Sequence, residues 1–266
     1  MGIQYGFIGC GNMGSALIRA AAQGGSKEAI GVYDVHEAKA QVLRETCGVS
    51  VCSPEQLCRE AEILFLGVKP QGFAELFETL RPLIAARKDL TLCSMAAGVS
   101  IQAVRDFAGQ DFPVIRIMPN LPVACKEGMI LCCYDRVSSP VRKAFAVLME
   151  KAGRMDEIDE SKIDAAAALS GCGPAYVCLL IESLADGAVA CGISRSQATL
   201  YAIQTVLGTA EFLRQTESSP AALKDAVCSP GGTTIAGVLA LEENRFRSAG
   251  AQAVIQAYRR TLEMKK

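Results

Sequence analysis

The chain has 266 residues, 50% of them hydrophobic and 21% charged, so it can bury a folded core and is not intrinsically disordered. Its 27 basic and 28 acidic residues give a formal net charge of -1, which leaves no basic surplus to hold a nucleic-acid backbone. The 12 cysteines form no C-x-x-C pair and the single histidine, His36, has no cysteine nearby, so we expect no metal site and reduced, mostly buried thiols.

Targeting and membrane signals are weak in this sequence. Residues 1–10 lack the basic start of a secretory signal and run into a glycine loop, so we expect a cytoplasmic protein. The longest uncharged run, residues 165–181, is broken by Gly171, Gly173 and Pro174, which argues against a membrane span. We therefore expect neither a membrane nor a nucleic acid as a partner.

In the first half of the chain, short apolar runs alternate with segments that carry apolar residues at helical spacing. The predicted strands are residues 3–8, 30–33, 63–68, 90–94, 114–117 and 129–133. The predicted helices are residues 13–23, 37–46, 73–84 and 140–152. Strands that alternate with helices predict an α/β fold with a parallel sheet and crossover helices.

The second half is predicted to be all-helical. The acidic, polar stretch 156–162 indicates a boundary, which we place between residues 1–157 and 158–266. The predicted helices are residues 158–169, 174–191, 195–215, one that begins at Pro220, 233–243 and 246–264. Their apolar or small residues lie on more than one face, which favours self-association over an ordinary core packed on the first domain.

A glycine-rich loop, Gly9-Cys10-Gly11-Asn12-Met13-Gly14, follows the first predicted strand and opens the first predicted helix. Gly9 permits the tight turn, Gly11 lets the backbone approach a pyrophosphate, and Gly14 lets helix and strand pack closely. The amides of the helix N-terminus then face the phosphates. An isolated match is often a plain turn, but the flanking strand and helix predict a Rossmann-type dinucleotide-binding domain.

Asp34 ends the second predicted strand, about 20 residues beyond the loop, where a carboxylate holds the adenosine ribose hydroxyls. A carboxylate there favours NADH and repels the 2′-phosphate of NADPH. His36 and Lys39 lie close by and still attract a phosphate, so NADPH stays open. The alternative is that Asp34 only caps the next helix, ahead of Glu37.

Three further turns end predicted strands at the edge of the sheet where ligands bind. They are Gly67-Val68-Lys69-Pro70, Ala96-Ala97-Gly98 and Met118-Pro119-Asn120. Each alone is typical of an ordinary strand-to-loop turn. Together, beside a dinucleotide loop, they predict the rim of an active site.

The helical half contains a second candidate site in the segment Cys228-Ser229-Pro230-Gly231-Gly232-Thr233-Thr234, which leads into a helix. The glycine pair exposes several backbone amides, which form a nest for a carboxylate or a phosphate, and the threonines add hydroxyls. The alternative is a helix cap with no ligand. Because no histidine is available to these sites, histidine-assisted acyl transfer is excluded, whereas hydride reduction of a C=N bond needs little proton handling by the protein.

These motifs, together with residues 169–176 and 223–225, resemble the pyrroline-5-carboxylate reductase family over about residues 3–262. The resemblance implies reduction of 1-pyrroline-5-carboxylate to L-proline with NAD(P)H, the last step of proline biosynthesis. It implies that the amides of the Ser229–Thr233 loop and the Ser229 hydroxyl bind the substrate carboxylate, and that Thr234 bonds the ring nitrogen. It places Lys69, Ala97 and Asn120 beside the cofactor.

The resemblance also implies a homodimer interlocked through an all-α dimerisation domain, assembly into a decamer, and an active site at the dimer interface. Two residues depart from the family pattern: Cys172 replaces the usual serine, and Asp34 is less usual than a small or polar residue. The alternatives are a reductase of another cyclic imine or small carboxylic acid, and a dinucleotide-binding regulator without catalytic activity. A β-hydroxyacid dehydrogenase is disfavoured because residues 169–191 contain no lysine.

Overall fold

A computed structural model describes residues 2–24 and 27–264 of the chain. The chain divides into two compact units, Met1–Cys172 with Ala257–Lys266, and Gly173–Gln256. The first division therefore follows Cys172, later than the boundary predicted between residues 157 and 158. The predicted boundary of the functional domains stays a prediction.

The first unit contains one eight-stranded sheet. Its strands are β1 (Tyr5–Ile8), β2 (Ile30–Tyr33), β3 (Ser50–Val51), β4 (Ile63–Leu66), β5 (Thr91–Ser94), β6 (Val114–Met118), β7 (Gly128–Asp135) and β8 (Gly153–Glu157). They lie in the order β3-β2-β1-β4-β5-β6-β7-β8, and the order reverses direction between β1 and β4. The six predicted strands are confirmed, with small differences at their ends.

The prediction of a purely parallel sheet is wrong at one place, because β6 and β7 pair antiparallel. A 3-10 turn, Leu121–Cys125, joins them in place of a crossover helix, so the chain returns directly beside the strand it left. The sequence prediction also lacked β3 and β8. Both are edge strands; β3 has 2 residues, and β8 carries the charged residues Arg154, Asp156 and Glu157 among its 5 residues, so neither forms an apolar run.

Seven helices cover the sheet in the described part of the first unit. They are α1 (Asn12–Gly24), α2 (Glu37–Cys47), α3 (Pro54–Glu60), α4 (Phe73–Ile84), α5 (Ile101–Ala108), α6 (Ser139–Met149) and α7 (Glu160–Ser170). The unpredicted α3 and α5 are short, and each begins at a serine N-cap: Ser53 accepts from the Gln56 amide and Ser100 from the Ala103 amide. Since helices cover both faces, the central strands are buried on both sides and read as continuous apolar runs.

The second unit contains α8 (Gly173–Ala190), α9 (Arg195–Thr216), α10 (Pro220–Val227), α11 (Thr233–Glu243) and the first part of α12 (Phe246–Glu263). Among its described residues only three small side chains are buried, Ala185, Ala198 and Ala202. Large apolar side chains such as Leu200, Leu207 and Leu239 are exposed in the single chain. An apolar surface of this extent is typical of an interface with another chain, as the sequence predicted.

Two smaller predictions have mixed outcomes. By length and composition the stretch Glu160–Ala190 qualifies as a membrane span, but it consists of α7 and α8 separated by a turn at Gly171 and Cys172. The expected break is therefore present. All 12 cysteines are free, yet six are buried and four are exposed, so the expectation of mostly buried thiols holds only for half of them.

Candidate active site

The glycine loop has the local geometry that its sequence predicts. Gly9 has a φ of +104°, and a Cβ there would lie 2.5 Å from the carbonyl oxygen of Gly67. A Cβ on Gly14 would lie 2.1 Å from the carbonyl oxygen of Gly9, so helix α1 can approach the loop only without a side chain. A Cβ on Gly11 would meet no atom within 4 Å. Gly11 therefore borders open space, the one place in the loop where a side chain would obstruct a ligand and not the fold.

The start of α1 presents unsatisfied amides to that space. The amides of Asn12, Met13 and Gly14 belong to the first turn, where no residue of the helix can accept from them. Two hydrogen bonds from Ser15 of α1 hold the loop: the Ser15 amide donates to the Gly11 carbonyl at 2.8 Å, and the Ser15 hydroxyl donates to the Cys10 carbonyl at 2.8 Å. A rigid turn with several amides aimed outward fits the pyrophosphate of a dinucleotide.

The Asp34 carboxylate is fixed beside the loop. Its Oδ2 accepts from the Cys10 amide at 2.7 Å and its Oδ1 from the His36 amide at 2.8 Å. Its side chain is 8% exposed, and Lys39 Nζ lies 3.9 Å from Oδ1. The alternative that Asp34 caps α2 is not what the structure shows, because His36 occupies the N-cap position.

Two cavities follow the carboxyl edge of the sheet on either side of Val68. The first, about 290 Å³, is lined by Gly9, Asp34, Val35, Val68, Leu76 and Thr79, among others. The second, about 330 Å³, is lined by residues 11–14, 67–70 and 95–97. The first offers apolar walls and a carboxylate, as an adenosine requires, and the second offers the loop amides and small side chains, as a pyrophosphate and a nicotinamide require.

Two of the three predicted rim turns are thus brought together at the second cavity, apart from Gly98, and the third, Met118-Pro119-Asn120, lines neither cavity. Val68, Lys69, Pro70, Ala96 and Ala97 line the second cavity. Gly98, with a φ of +77°, is adjacent in the chain but does not line it.

Asn120 belongs to the predicted rim turn that lines neither cavity. It is 8% exposed and uses both ends of its amide inside the protein. Its Nδ2 donates to the Ser170 carbonyl at 2.9 Å and its Oδ1 accepts from the Met129 amide at 2.8 Å. The Asn120 side chain ties the end of α7 to the start of β7, and its place beside the cofactor stays a prediction.

Sequence reasoning missed the apolar wall of the first cavity. Val35 is 80% exposed although it is a large aliphatic residue directly after Asp34. Leu76 and Thr79 come from α4 and meet Val35 only through the fold. The signal available in the sequence was an aliphatic residue, Val35, directly after the carboxylate that ends the strand, where it can contact a bound adenine.

The thiol of Cys10 lies inside the loop and is buried. Burial and, to a lesser extent, the Asp34 carboxylate raise its pKa to about 12. The side chain is therefore neutral and fills space behind the loop, and only its backbone amide contributes to the site.

The second candidate site is the turn before α11. The Gly232 amide donates to the Ser229 carbonyl at 3.0 Å, and Gly231 has a φ of +68°, which together form a type II turn with Pro230 at its second position. A Cβ on Gly232 would lie 2.3 Å from Ser229 Oγ, so a side chain there would displace the Ser229 hydroxyl. Gly232 is the N-cap of α11 without a side-chain cap bond, which leaves the amides of Thr233 and Thr234 open to an anion.

A sheet whose strand order reverses beside a phosphate-binding helix N-terminus, with a carboxylate at the end of the next strand, defines the class of NAD(P)-dependent oxidoreductases. Two family models match this chain. One, described as pyrroline-5-carboxylate reductase dimerisation, matches residues 160–264, and one described as NADP oxidoreductase coenzyme F420-dependent matches residues 4–98.

Full-length relatives agree with the first of these. Pyrroline-5-carboxylate reductase of Synechocystis sp. is 41% identical over 270 residues, with 100% of both sequences covered. The crystal structure of Plasmodium falciparum pyrroline carboxylate reductase with NADP bound is 31% identical, has a TM-score of 0.87 and covers 99% of this chain and 98% of that chain. The Coxiella burnetii pyrroline-5-carboxylate reductase is 30% identical, with a TM-score of 0.91 and 100% of both chains covered.

The chain belongs to the pyrroline-5-carboxylate reductase family. It is an NAD(P)H-dependent oxidoreductase that reduces a C=N bond in proline biosynthesis, and its helical half is an oligomerisation domain. The resemblance noted in the sequence is thereby confirmed.

Proposed function

We propose that this chain reduces 1-pyrroline-5-carboxylate to L-proline with NADH in preference to NADPH, and binds the substrate carboxylate on the turn before α11. The observation that carries the cofactor preference is the Asp34 carboxylate, held by two amides at the end of β2 beside the first cavity. The observation that carries the substrate site is the uncapped start of α11 behind a type II turn. The two are independent and are tested separately.

The chemistry assigns different tasks to the two sites. When bound, the reduced nicotinamide supplies a hydride to the carbon of the C=N bond. The loop at Gly11 and the start of α1 neutralise the pyrophosphate and fix the register of the cofactor along the cleft. The amides of Thr233 and Thr234 and the Ser229 hydroxyl hold the substrate carboxylate, and the Thr234 hydroxyl bonds the ring nitrogen. The protein needs no strong acid, because a protonated imine accepts hydride directly.

The role of Thr234 is tested by Thr234→Val, which keeps the shape of the side chain and removes the hydroxyl, and by Thr234→Ser, which keeps the hydroxyl. We expect Thr234→Val to lower kcat about tenfold or more, the cost of one lost hydrogen bond to a reacting group. The Kd of NADH, measured by fluorescence titration, should not change. Normal turnover in Thr234→Val, or weakened NADH binding alone, would contradict the assignment.

The cofactor preference is tested by Asp34→Ser, with Glu37→Gln as its control. Both variants remove one negative charge near the first cavity, but only Asp34 lines that cavity, at the predicted ribose position. We expect the ratio of kcat/KM for NADPH to that for NADH to rise in Asp34→Ser and to stay constant in Glu37→Gln. Equal shifts in both variants would mean that general charge, and not ribose recognition, sets the preference.

We further propose a cytoplasmic homodimer formed by the helical unit, with assembly into a decamer. Support comes from the exposed apolar side chains of α9 and α11 and from the free state of all 12 cysteines. Light scattering coupled to size-exclusion chromatography measures the subunit number. A catalytically silent regulator would be shown by NADH binding without substrate-dependent loss of absorbance at the nicotinamide band.

A further inference from the structure

The loop between β5 and α5, residues 95–100, carries the small residues that line the second cavity. Met95, Ala96 and Ala97 form one of its walls. Few bonds hold this loop from within: the Val99 amide donates to the Ala96 carbonyl at 3.4 Å, and the Ala96 amide to Ser94 Oγ at 3.4 Å. Besides the packing of the buried Ala96 and Val99, the hydrogen bonds at its two ends therefore set its position.

The far end of the loop is held by a residue from a distant part of the chain. The Ile101 amide, the first of α5, donates to Glu160 Oε1 at 2.7 Å across 59 positions of sequence. Helix α5 already has a local N-cap in Ser100, which accepts from the Ala103 amide at 3.1 Å. The carboxylate of Glu160, at the start of α7, therefore adds a long-range hydrogen bond to the first amide of α5, where the loop ends.

The carboxylate is itself oriented by a buried arginine. Arg116 Nη1 donates to Glu160 Oε1 at 3.1 Å and Nη2 donates to Asp164 Oδ1 at 2.6 Å. The arginine side chain is 1% exposed, that of Asp164 5% and that of Glu160 35%. Arg116 also pairs in register with Ser94, the last residue of β5 before the loop. The backbone of Arg116 thus lies beside the start of the loop, and its guanidinium bonds the carboxylate that holds the end of the loop.

We propose that Glu160, oriented by Arg116, is a positioning residue for hydride transfer: it holds the 95–100 loop at the distance from the nicotinamide that the reaction requires. This rests on the proposed assignment of the second cavity to the nicotinamide. Arg116 and Glu160 touch neither cavity and act only through the loop. A displacement of about 1 Å at a reacting centre lowers the rate by up to about 100-fold, so a small movement of the loop suffices for a measurable effect.

The structure supplies a matched control in Asp164, the other carboxylate on the same guanidinium. Asp164→Asn weakens the more buried ion pair and leaves the Ile101 amide bonded to Glu160. Glu160→Ala leaves Arg116 paired with Asp164 and frees the Ile101 amide. If the network were purely structural, Asp164→Asn would have the larger effect in every assay, because Asp164 is the more buried carboxylate. If Glu160 positions the loop, Asp164→Asn has the larger effect on stability and Glu160→Ala has the larger effect on catalysis.

The experiment measures kcat, the KM values, the urea midpoint and the primary isotope effect with cofactor deuterated at C4 of the reduced ring. For Glu160→Ala we expect kcat to fall about tenfold and the isotope effect to rise, because the hydride step becomes rate-limiting. For Asp164→Asn we expect the larger drop in urea midpoint and an unchanged isotope effect. Glu160→Gln, which keeps an oxygen acceptor, should restore most of kcat. An unchanged isotope effect in Glu160→Ala, or equal kinetic effects of both variants, would overturn the proposal.

Three further variants separate the possible causes. Ile101→Pro deletes the amide proton at a helix position where proline is tolerated and retains Glu160 and Asp164, so it should reproduce the kinetic effect even if Glu160→Ala folds poorly. Because the Ile101 side chain is buried, Ile101→Ala, which keeps the amide, is the control for lost packing and should leave the isotope effect unchanged. Ala97→Leu fills the second cavity directly and tests its assignment. If Ala97→Leu leaves cofactor affinity and rate unchanged, the proposed nicotinamide site fails. If it impairs them while Glu160→Ala and Ile101→Pro do not, only the positioning role fails.

Discussion

The glycine loop yields a sharp prediction, because two of its glycines are required for different reasons. Gly14→Ala places a Cβ 2.1 Å from the Gly9 carbonyl oxygen, and ordinary contact begins at 3.4 Å, so helix and loop must separate by 1.3 Å (3.4 minus 2.1). Overpacking of this kind costs about 1–3 kcal/mol, and the gain of about 0.5–1 kcal/mol from replacing a helical glycine offsets part of it. We expect Gly14→Ala to lower the free energy of unfolding by about 1–2 kcal/mol.

Gly11→Ala is the matched substitution with no steric conflict in the free protein, since no atom lies within 4 Å of the added Cβ. We expect its free energy of unfolding to equal that of the parent or to rise slightly, because alanine restricts the unfolded chain. The new methyl group instead occupies the space predicted for the pyrophosphate. We expect the Kd of NADH to rise at least about tenfold, equivalent to about 1.4 kcal/mol.

Both variants are measured by urea unfolding at one fixed protomer concentration, because oligomer dissociation contributes to the transition, and by NADH titration. Parent-like NADH binding by Gly11→Ala would show that the cofactor does not approach the loop there. Parent-like stability of Gly14→Ala would show that the contact between α1 and the loop is not tight. Either result would refute the corresponding part of the reasoning.

Three other predictions concern the core, its thiols and the substrate turn. Burial raises the pKa values of the Cys10, Cys58 and Cys133 thiols to about 12. The stability that the neutral thiols contribute is therefore present below pH 9 and is lost between about pH 9 and about pH 12. The urea midpoint should be lower at pH 10.5 than at pH 8, and the decrease should be smaller in Cys58→Ala. Phe65→Ala removes a fully buried ring whose centroid lies 4.1 Å from that of the stacked Phe7 ring. It should lower the free energy of unfolding in urea by about 3–5 kcal/mol. Gly231→Ala strains a residue with φ +68° by about 1–2 kcal/mol and should raise the KM of the substrate without changing the Kd of NADH.

Much of the nucleotide site was predictable because its parts are close together in the sequence. The loop from Gly9 to Gly14 is a local motif, and each glycine has the conformational or steric reason that the motif implies. Asp34 follows at the end of the next strand of a continuous βαβ unit, so its place beside the loop follows from the handedness of that unit. The turn before α11 is likewise local, from Ser229 to Gly232.

What depends on distant segments was not predictable. The antiparallel return of β7 beside β6, the burial of Asn120 as a tie, and the pairing of α7 with the loop after β5 all require tertiary contacts.

The sequence by itself determined the alternation of strands and helices, the phosphate-binding loop and the surplus of apolar surface in the helical half, because those follow from the spacing of residues along one segment. Only the tertiary structure decided which side chains stay free for a ligand. The residue type of Asn120 offers an amide to a ligand, but in the fold both ends of that amide are hydrogen-bonded to Ser170 and Met129. Glu160 looks like an ordinary charged residue at a helix start until the sheet brings Arg116 and the Ile101 amide within bonding distance of one oxygen.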